Sequence, residues 1–295
     1  MSPILALKAV FLIIPFMFLA FAVLPLRWLW RIPAGVALGA AIAFALAAFF
    51  PGGMDFIVSF SIMASIYAIL SLGLNSQWGY AGHLDFGIAG FFAVGAFTTA
   101  LFVTAVPSGL MAQYAHQAFG LHAPFLIGLI AAGVVSGVVG YLIALPVLRL
   151  RTDFLAIATL GIAEIIRLVF QNERWLANGP QPLSGIPQPL SCMFEHPGCT
   201  WLPQSLASLL EPLTPRDYSY LYLDITVLIL AAIYLVLEIA VRSPWGRALR
   251  AVRDEEQSAA MNGKNVTSLR IQSFVLGAVI MGMGGALYAP YMVTI

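Results

Sequence analysis

Long apolar stretches separated by short polar connections set the rhythm of this chain. About eight of them are long enough to matter, near residues 5–26, 32–50, 55–74, 87–106, 123–146, 154–170, 221–241 and 271–290. Runs of about 17 to 25 apolar residues cross the hydrocarbon core as helices, whereas a closed barrel reads as short alternating segments. The pattern therefore predicts an all-α polytopic transmembrane bundle, one domain over residues 1–295. Between the last two runs the pattern changes. From Arg242 to Arg270 charged residues are dense, and a helix over 246–262 would put Leu249, Val252, Ala259 and Ala260 along one side, with Arg250, Arg253, Asp254 and Gln257 largely off it. Gly263 is placed to stop that helix, because glycine takes the left-handed conformation that ends many helices.

A second irregularity lies at the end of the third run. Asn75, Gly79, Gly82 and Gly87 fall within a few residues of one another, with His83 and Asp85 among them. Glycines this dense at the edge of a span predict a broken helix over 75–87, whose unwound backbone must be covered by protein or water and is a candidate to line a path through the membrane. Two roles fit His83 and Asp85: a mutual hydrogen bond at a wet cytoplasmic end, or a part in the path or gate. Glu164 and Arg167 lie three apart within the sixth run. Each can satisfy the other while facing the bundle, as a structural ion pair or as part of the path. Small residues recur every four positions at Gly128, Ala132, Ser136 and Gly140, and again at Ala278, Gly282 and Ala286. Such stripes let helices approach closely.

Composition agrees with a membrane protein: 61% of residues are hydrophobic and 9% charged, against about 25% charged in soluble domains. A net charge of +1 provides no basic field for nucleic acid. The distribution of basic residues orients the chain. If the 242–270 loop is cytoplasmic, ten of the 14 basic residues lie inside, while Lys8, Arg174 and Arg216 lie outside and Arg167 sits within a span. The N-terminus is then outside, and the first run is expected to be a retained span rather than a cleaved signal. The connection 171–219 is outside and rich in proline and glycine. It carries Cys192 and Cys199, for which a disulfide is expected over free thiols or a metal site completed by His196. His116 and His122 have no third ligand near them, so no metal or other cofactor is expected.

Asp254-Glu255-Glu256-x-x-Ala259-x-x-x-Gly263 resembles the loop with which permease subunits of importing ABC transporters sit in their ATPase subunits. Gly73-Leu74-Asn75, Gly79-x-x-Gly82, Gly87 and Phe92-x-x-Gly95-Ala96 look like the signature of branched-chain amino acid permeases of the LivM type. Leu148-Arg149-x-Arg151 and Asn178-Gly179-Pro180-x-x-x-Ser184-Gly185-Ile186-Pro187 are similar to further segments of that family, the second on the face where substrate arrives. His83, Asp85, Thr152 and Phe154 depart from its pattern. The resemblance implies a multi-pass permease of the bacterial inner membrane, with Gly246, Arg250, Glu255, Glu256, Ala259 and Gly263 in the ATPase-coupling segment. It implies a second permease subunit, a periplasmic binding protein and an amino-acid substrate. It also implies that the chain ends earlier than its relatives usually do, with a last helix missing or truncated. ATP must come through separate ATPase subunits, since Gly263-Lys264-Asn265 does not complete a phosphate loop. The alternatives are a urea or short-amide permease of the same superfamily, and an ion-coupled carrier using Asp85 and Glu164. No motif of a membrane enzyme is present.

Overall fold

A computed structural model describes residues 53–105, 120–150, 152–179, 181–183, 185–189 and 218–295. The described residues form helices and irregular connections, with one isolated bridge between Ala105 and Leu121. In chain order the helices are α1 Gly53–Leu74, continued by a π-helical segment Asn75–Tyr80, α2 Ile88–Val103, α3 Phe125–Val147, α4 Thr152–Asn172 and the single turn α5 Arg174–Ala177. After the connection come α6 Tyr218–Arg242, α7 Pro244–Asp254, α8 Glu256–Met261 and α9 Val266–Met292. Six of the apolar runs thus appear as helices where the sequence places them. The runs at 5–26 and 32–50 lie outside the described residues, as do Cys192 and Cys199.

Five of these helices are long and apolar enough to cross a membrane, and α2 is shorter, at 16 residues. At 1.5 Å per residue α2 spans about 24 Å, less than the roughly 30 Å of a hydrocarbon core. It need not reach further, because protein surrounds it. Gly90, Phe91, Val94, Gly95, Ala96 and the run Thr98–Leu101 are all buried.

By contacts the chain divides into two units, one drawn from Met1–Ser65 and Pro189–Ala232, the other from Ile66–Gln188 and Ile233–Ile295. In the first, the Tyr218 hydroxyl donates to the Pro189 carbonyl at 2.7 Å, and Tyr220, Tyr222 and Leu223 are buried. The second holds the remaining features, and its organising contact is α9 against α2 and α3.

The two small-residue stripes meet there. A Cβ on Gly95 would overlap the Gly282 carbonyl, and one on Gly285 would overlap the Phe92 carbonyl, so α2 and α9 touch backbone to backbone. On α3, Gly140 lies where a Cβ would stand 2.6 Å from Ala278 Cβ, and Gly282 packs over Ser136. Gly128 turns instead to Val103 of α2, 2.7 Å from a Cβ built there. Lipid tails are as apolar as leucine, so association comes from this close packing and not from escape from water. Around it, Leu70, Phe91, Val147, Leu155, Phe274 and Met281 make one apolar cluster. Phe91 meets Phe274 edge to face with centroids 5.7 Å apart.

At the other end of this unit the segment 181–188 is clasped by the end of the chain. Leu183 N–H donates to the Ile295 carbonyl at 2.7 Å, Ile295 N–H returns a bond to Leu183 at 3.0 Å, and Ile186 N–H reaches Val293.

Gly95→Leu is expected to drive α2 and α9 apart. Because the obstacle is backbone, the loss should reach or exceed the roughly 1–3 kcal/mol of ordinary overpacking, read as a lower melting temperature in detergent. Gly161, with nothing within 4 Å of a built Cβ, is the control: Gly161→Ala should shift stability by less than about 1 kcal/mol.

Candidate functional site

α1 does not end at Leu74 but widens into the π-helical segment Asn75–Tyr80 before leaving helical geometry at 81–87. π segments are uncommon and often mark functional positions. Glycine is needed twice here. A Cβ on Gly79 would overlap the Asn75 side chain, and Gly82 has φ +75° with Arg253 Cγ 2.9 Å from where its Cβ would stand.

Every carbonyl or N–H that the break frees must find a partner, and the partners are specific. Ser273 of α9 donates its hydroxyl to the Ser76 carbonyl at 2.6 Å. Arg253 Nη1 of α7 donates to the Gly79 carbonyl at 2.6 Å. Phe86 N–H donates to Thr159 Oγ1 of α4 at 3.1 Å, and His83 N–H to the Gln77 carbonyl at 3.0 Å. Asp85 Oδ1 accepts the Gly87 N–H at 2.7 Å just before α2 begins. Gln77 is fully buried, lies over Gly277 and donates Nε2–H to the Phe274 carbonyl at 3.0 Å. Arg253 and Gln77, like Ser273 and Thr159, are residues that the sequence did not single out as candidates for the break. Their signal was weak: a polar residue between two glycines, and one arginine among several in a charged loop.

His83 and Asp85 are neither wet nor bonded to each other. Both are buried, and neither ring nitrogen of His83 has a partner. Burial, and then the positive Arg270, lower the His83 pKa to about 4. Burial raises that of Asp85, against the opposing hydrogen bond from the Gly87 N–H. Asn75, Gly79 and Gly82 come together with Ser71, Leu74, Trp78 and Arg253 around an open cavity of about 510 Å³. Gly87, like His83 and Asp85, is buried behind it. A larger groove of about 700 Å³, between α3 and the start of α9, contains none of the candidate residues.

Glu164 and Arg167 do form the ion pair, with Arg167 Nε donating to Glu164 Oε2 at 2.9 Å, and Arg167 also reaches Gln171 at 3.2 Å. They are not covered by the described helices: both side chains are about half exposed. The pairing geometry was readable from an i, i+3 spacing, but the direction it faces was not.

The charged loop differs from a single helix over 246–262. It is two helices, broken at Glu255, whose backbone is extended (φ −154°, ψ 100°). A straight helix would hold Val252 and Ala259 about 10 Å apart along its axis; the bend gathers them with Val266 and Leu269 into one apolar cluster. Leu249, Val252 and Ala259 are therefore buried within the protein itself, while Ala260 is exposed. Gly246 lies over the Val241 carbonyl with no room for a Cβ. Arg250 donates Nη2–H to the Val241 carbonyl at 3.1 Å, closing the end of α6, and Glu256 pairs with Arg270 at 2.6 Å. Glu255 remains exposed, and Met261 is 86% exposed at the tip.

Gly263 has φ +73° and ends α8. Gly263 N–H bonds the Ala260 carbonyl at 3.0 Å and Lys264 N–H the Ala259 carbonyl at 3.2 Å, the paired bonds of a Schellman motif.

The His83 pKa has a consequence for stability. Its neutral ring is the form that the fold holds, so the stability it contributes is full above pH 6.5 and is lost as pH falls toward 4. Over that window the unfolded chain takes up the proton first. The expected loss is up to about 3 kcal/mol, seen as a falling melting temperature on acidification that His83→Gln flattens.

Comparison with known proteins agrees with this architecture. The family described as branched-chain amino acid transport system, permease component, matches residues 56–295. Over 238 residues the chain is 34% identical to the high-affinity branched-chain amino acid transport system permease protein LivM of Salmonella typhimurium, covering 79% of this chain and 52% of that one. It is 32% identical over 236 residues to the protein of the same name in Escherichia coli, again 79% and 52%. It is 26% identical over 263 residues to a probable branched-chain amino acid transport permease protein LivM of Methanocaldococcus jannaschii, 82% and 69%. The chain spans about half the length of the first two relatives. No solved structure gives a significant match. A helical, multi-pass membrane chain matched over residues 56–295 belongs to the branched-chain amino acid permease family.

Proposed function

We propose that this chain is the membrane-spanning subunit of an ABC importer for branched-chain and related hydrophobic amino acids, and that α7–α8 couple it to a separate ATPase subunit. The observation that carries the coupling is the bond from Arg253 of α7 to the Gly79 carbonyl in the break. A displacement of the loop reaches unwound backbone beside the open cavity through one charge-assisted hydrogen bond. The names of the relatives support the substrate class.

On this reading the loop end is cytoplasmic, in keeping with ten basic residues inside and three outside, and the membrane is the bacterial inner membrane. A second permease subunit completes the path, and a periplasmic binding protein delivers substrate. The ATPase meets the surface that the fold leaves outward, with Glu255 and Met261 at its centre. Leu249, Val252 and Ala259 hold the loop to its own spans instead of entering the partner. Ser71, Asn75 and Trp78 line the path at the break, and the half-exposed Glu164–Arg167 pair faces either the path or the second subunit.

Two substitutions test the coupling in reconstituted complexes. Arg253→Ala removes a bond made by a partly exposed guanidinium, so stability should change by no more than about 1 kcal/mol, while leucine uptake and substrate-stimulated ATP hydrolysis fall several-fold. Gly263→Val places a β-branched residue at positive φ, a strain of about 1–3 kcal/mol, with open space around it. The strain should disturb the loop and leave the spans inserted. Wild-type uptake in both variants would remove the coupling role. Uptake of urea in place of leucine would remove the substrate class alone.

A further inference from the structure

The groove of about 700 Å³ between α3 and the start of α9 has an ordered lining. Asn265, Ser268 and Gln272 line the end next to the charged loop, and Val275, Leu276 and Val279 line the rest. From Asn265 to Val279 this is about 21 Å of helix, the depth of one leaflet in a bilayer about 40–45 Å thick with its headgroups. The level at which polar gives way to apolar is marked as well. Trp245 of α7 donates its indole N–H to Gln272 Oε1 at 2.8 Å, and tryptophan rings gather at the membrane–water interface.

Charge is left over at the polar end. Among the described basic residues on the loop side, Arg242, Arg253 and Arg270 pair with Glu238, Asp254 and Glu256, while Arg247 and Arg250 bond backbone carbonyls. Arg149 and Lys264 have no side-chain partner among the described residues, and both are exposed. They stand at the two helix ends that bound the groove, Arg149 just beyond α3 and Lys264 just before α9. The two helices run antiparallel, since Gly140 meets Ala278 and Gly133 meets Met283. Ile271, which also lines the groove, packs on the cluster that holds Val147 and Leu148 at the end of α3. Both cations therefore lie at the polar end.

A protein helix fits this surface poorly. Close helix pairing in lipid uses small residues on the facing surface, and Gly133, Gly137 and Gly140 of α3 are turned onto α9 itself. What the groove presents is branched apolar side chains beneath polar ones, with two unpaired cations at the rim. We infer that it binds one acidic phospholipid from the leaflet on the loop side. An acyl chain lies along Val275, Leu276 and Val279, and the phosphate-bearing headgroup meets Arg149, Lys264 and the polar residues. Because Gln272 also holds Trp245 of α7, the bound lipid bears on the base of the charged loop.

The inference rests on the chain spanning a membrane and not on its substrate or ATPase, so its failure would leave the transport reading untouched. Native mass spectrometry of the purified chain, with phosphatidylglycerol or phosphatidylcholine added to the detergent, is the test. One phosphatidylglycerol should bind on the order of tenfold more tightly than phosphatidylcholine and raise the melting temperature. Arg149→Gln combined with Lys264→Gln, at two exposed positions, should abolish that preference and leave the lipid-free melting temperature unchanged. Leu276→Trp, which fills the groove, should weaken binding of both lipids. Equal affinity for the two lipids, or an undiminished preference in the double variant, would overturn the inference. So would a dimer of the chain that Leu276→Trp dissociates while lipid binding stays as it was, because the groove would then belong to a second copy.

Discussion

A membrane offers no water to backbone groups that leave a helix, and that requirement governs the centre of this structure. Between Asn75 and Gly87 the chain abandons α geometry, and several freed groups are answered by named partners from other elements. Ser273 comes from α9, Thr159 from α4 and Arg253 from α7. The break is therefore the junction where three elements are fastened, not a flexible hinge left open. The close fit of α2 to α9 has the same origin, because only glycines at 95, 282 and 285 bring the partners near enough.

The charged loop follows a related economy. Its apolar side is used at home, with Leu249, Val252 and Ala259 buried. Arg250 closes the end of α6 and Glu256 holds Arg270. The loop is thus fixed by contacts within its own chain. Its outward surface sets Met261 among charged and polar residues.

Much of this was legible in the sequence because it rests on local rules. Apolar length predicted six of the helices that the described residues contain, glycine density predicted the break, and four-residue spacing predicted which faces pack closely. Gly263 as a helix stop follows from a single residue's conformational freedom, and its φ of +73° is what that reading requires. What escaped depends on tertiary neighbours. The interruption at Glu255 is set by where Val266 lies, the burial of His83 and Asp85 by α4 and α9, and the outward face of Glu164 and Arg167 by which side of α4 the bundle occupies. Periodicity names a stripe but not the body it meets. For the 246–262 segment the stripe held at Leu249, Val252 and Ala259 but not at Ala260, and the body it met was the chain itself.

The backbone contact between α2 and α9 also limits how this protein can move. Where the two helices meet through carbonyls and Cα atoms, at Gly95, Gly282 and Gly285, there are no rotamers to adjust and no cushion to compress. Sliding one along the other would drive a Cα or carbonyl into the next residue's Cβ at once. The pair must travel as one rod. Since α8 leads through Gly263 directly into α9, a push on the loop would be delivered to the foot of that rod, and any change of shape would have to occur where it bears on its neighbours.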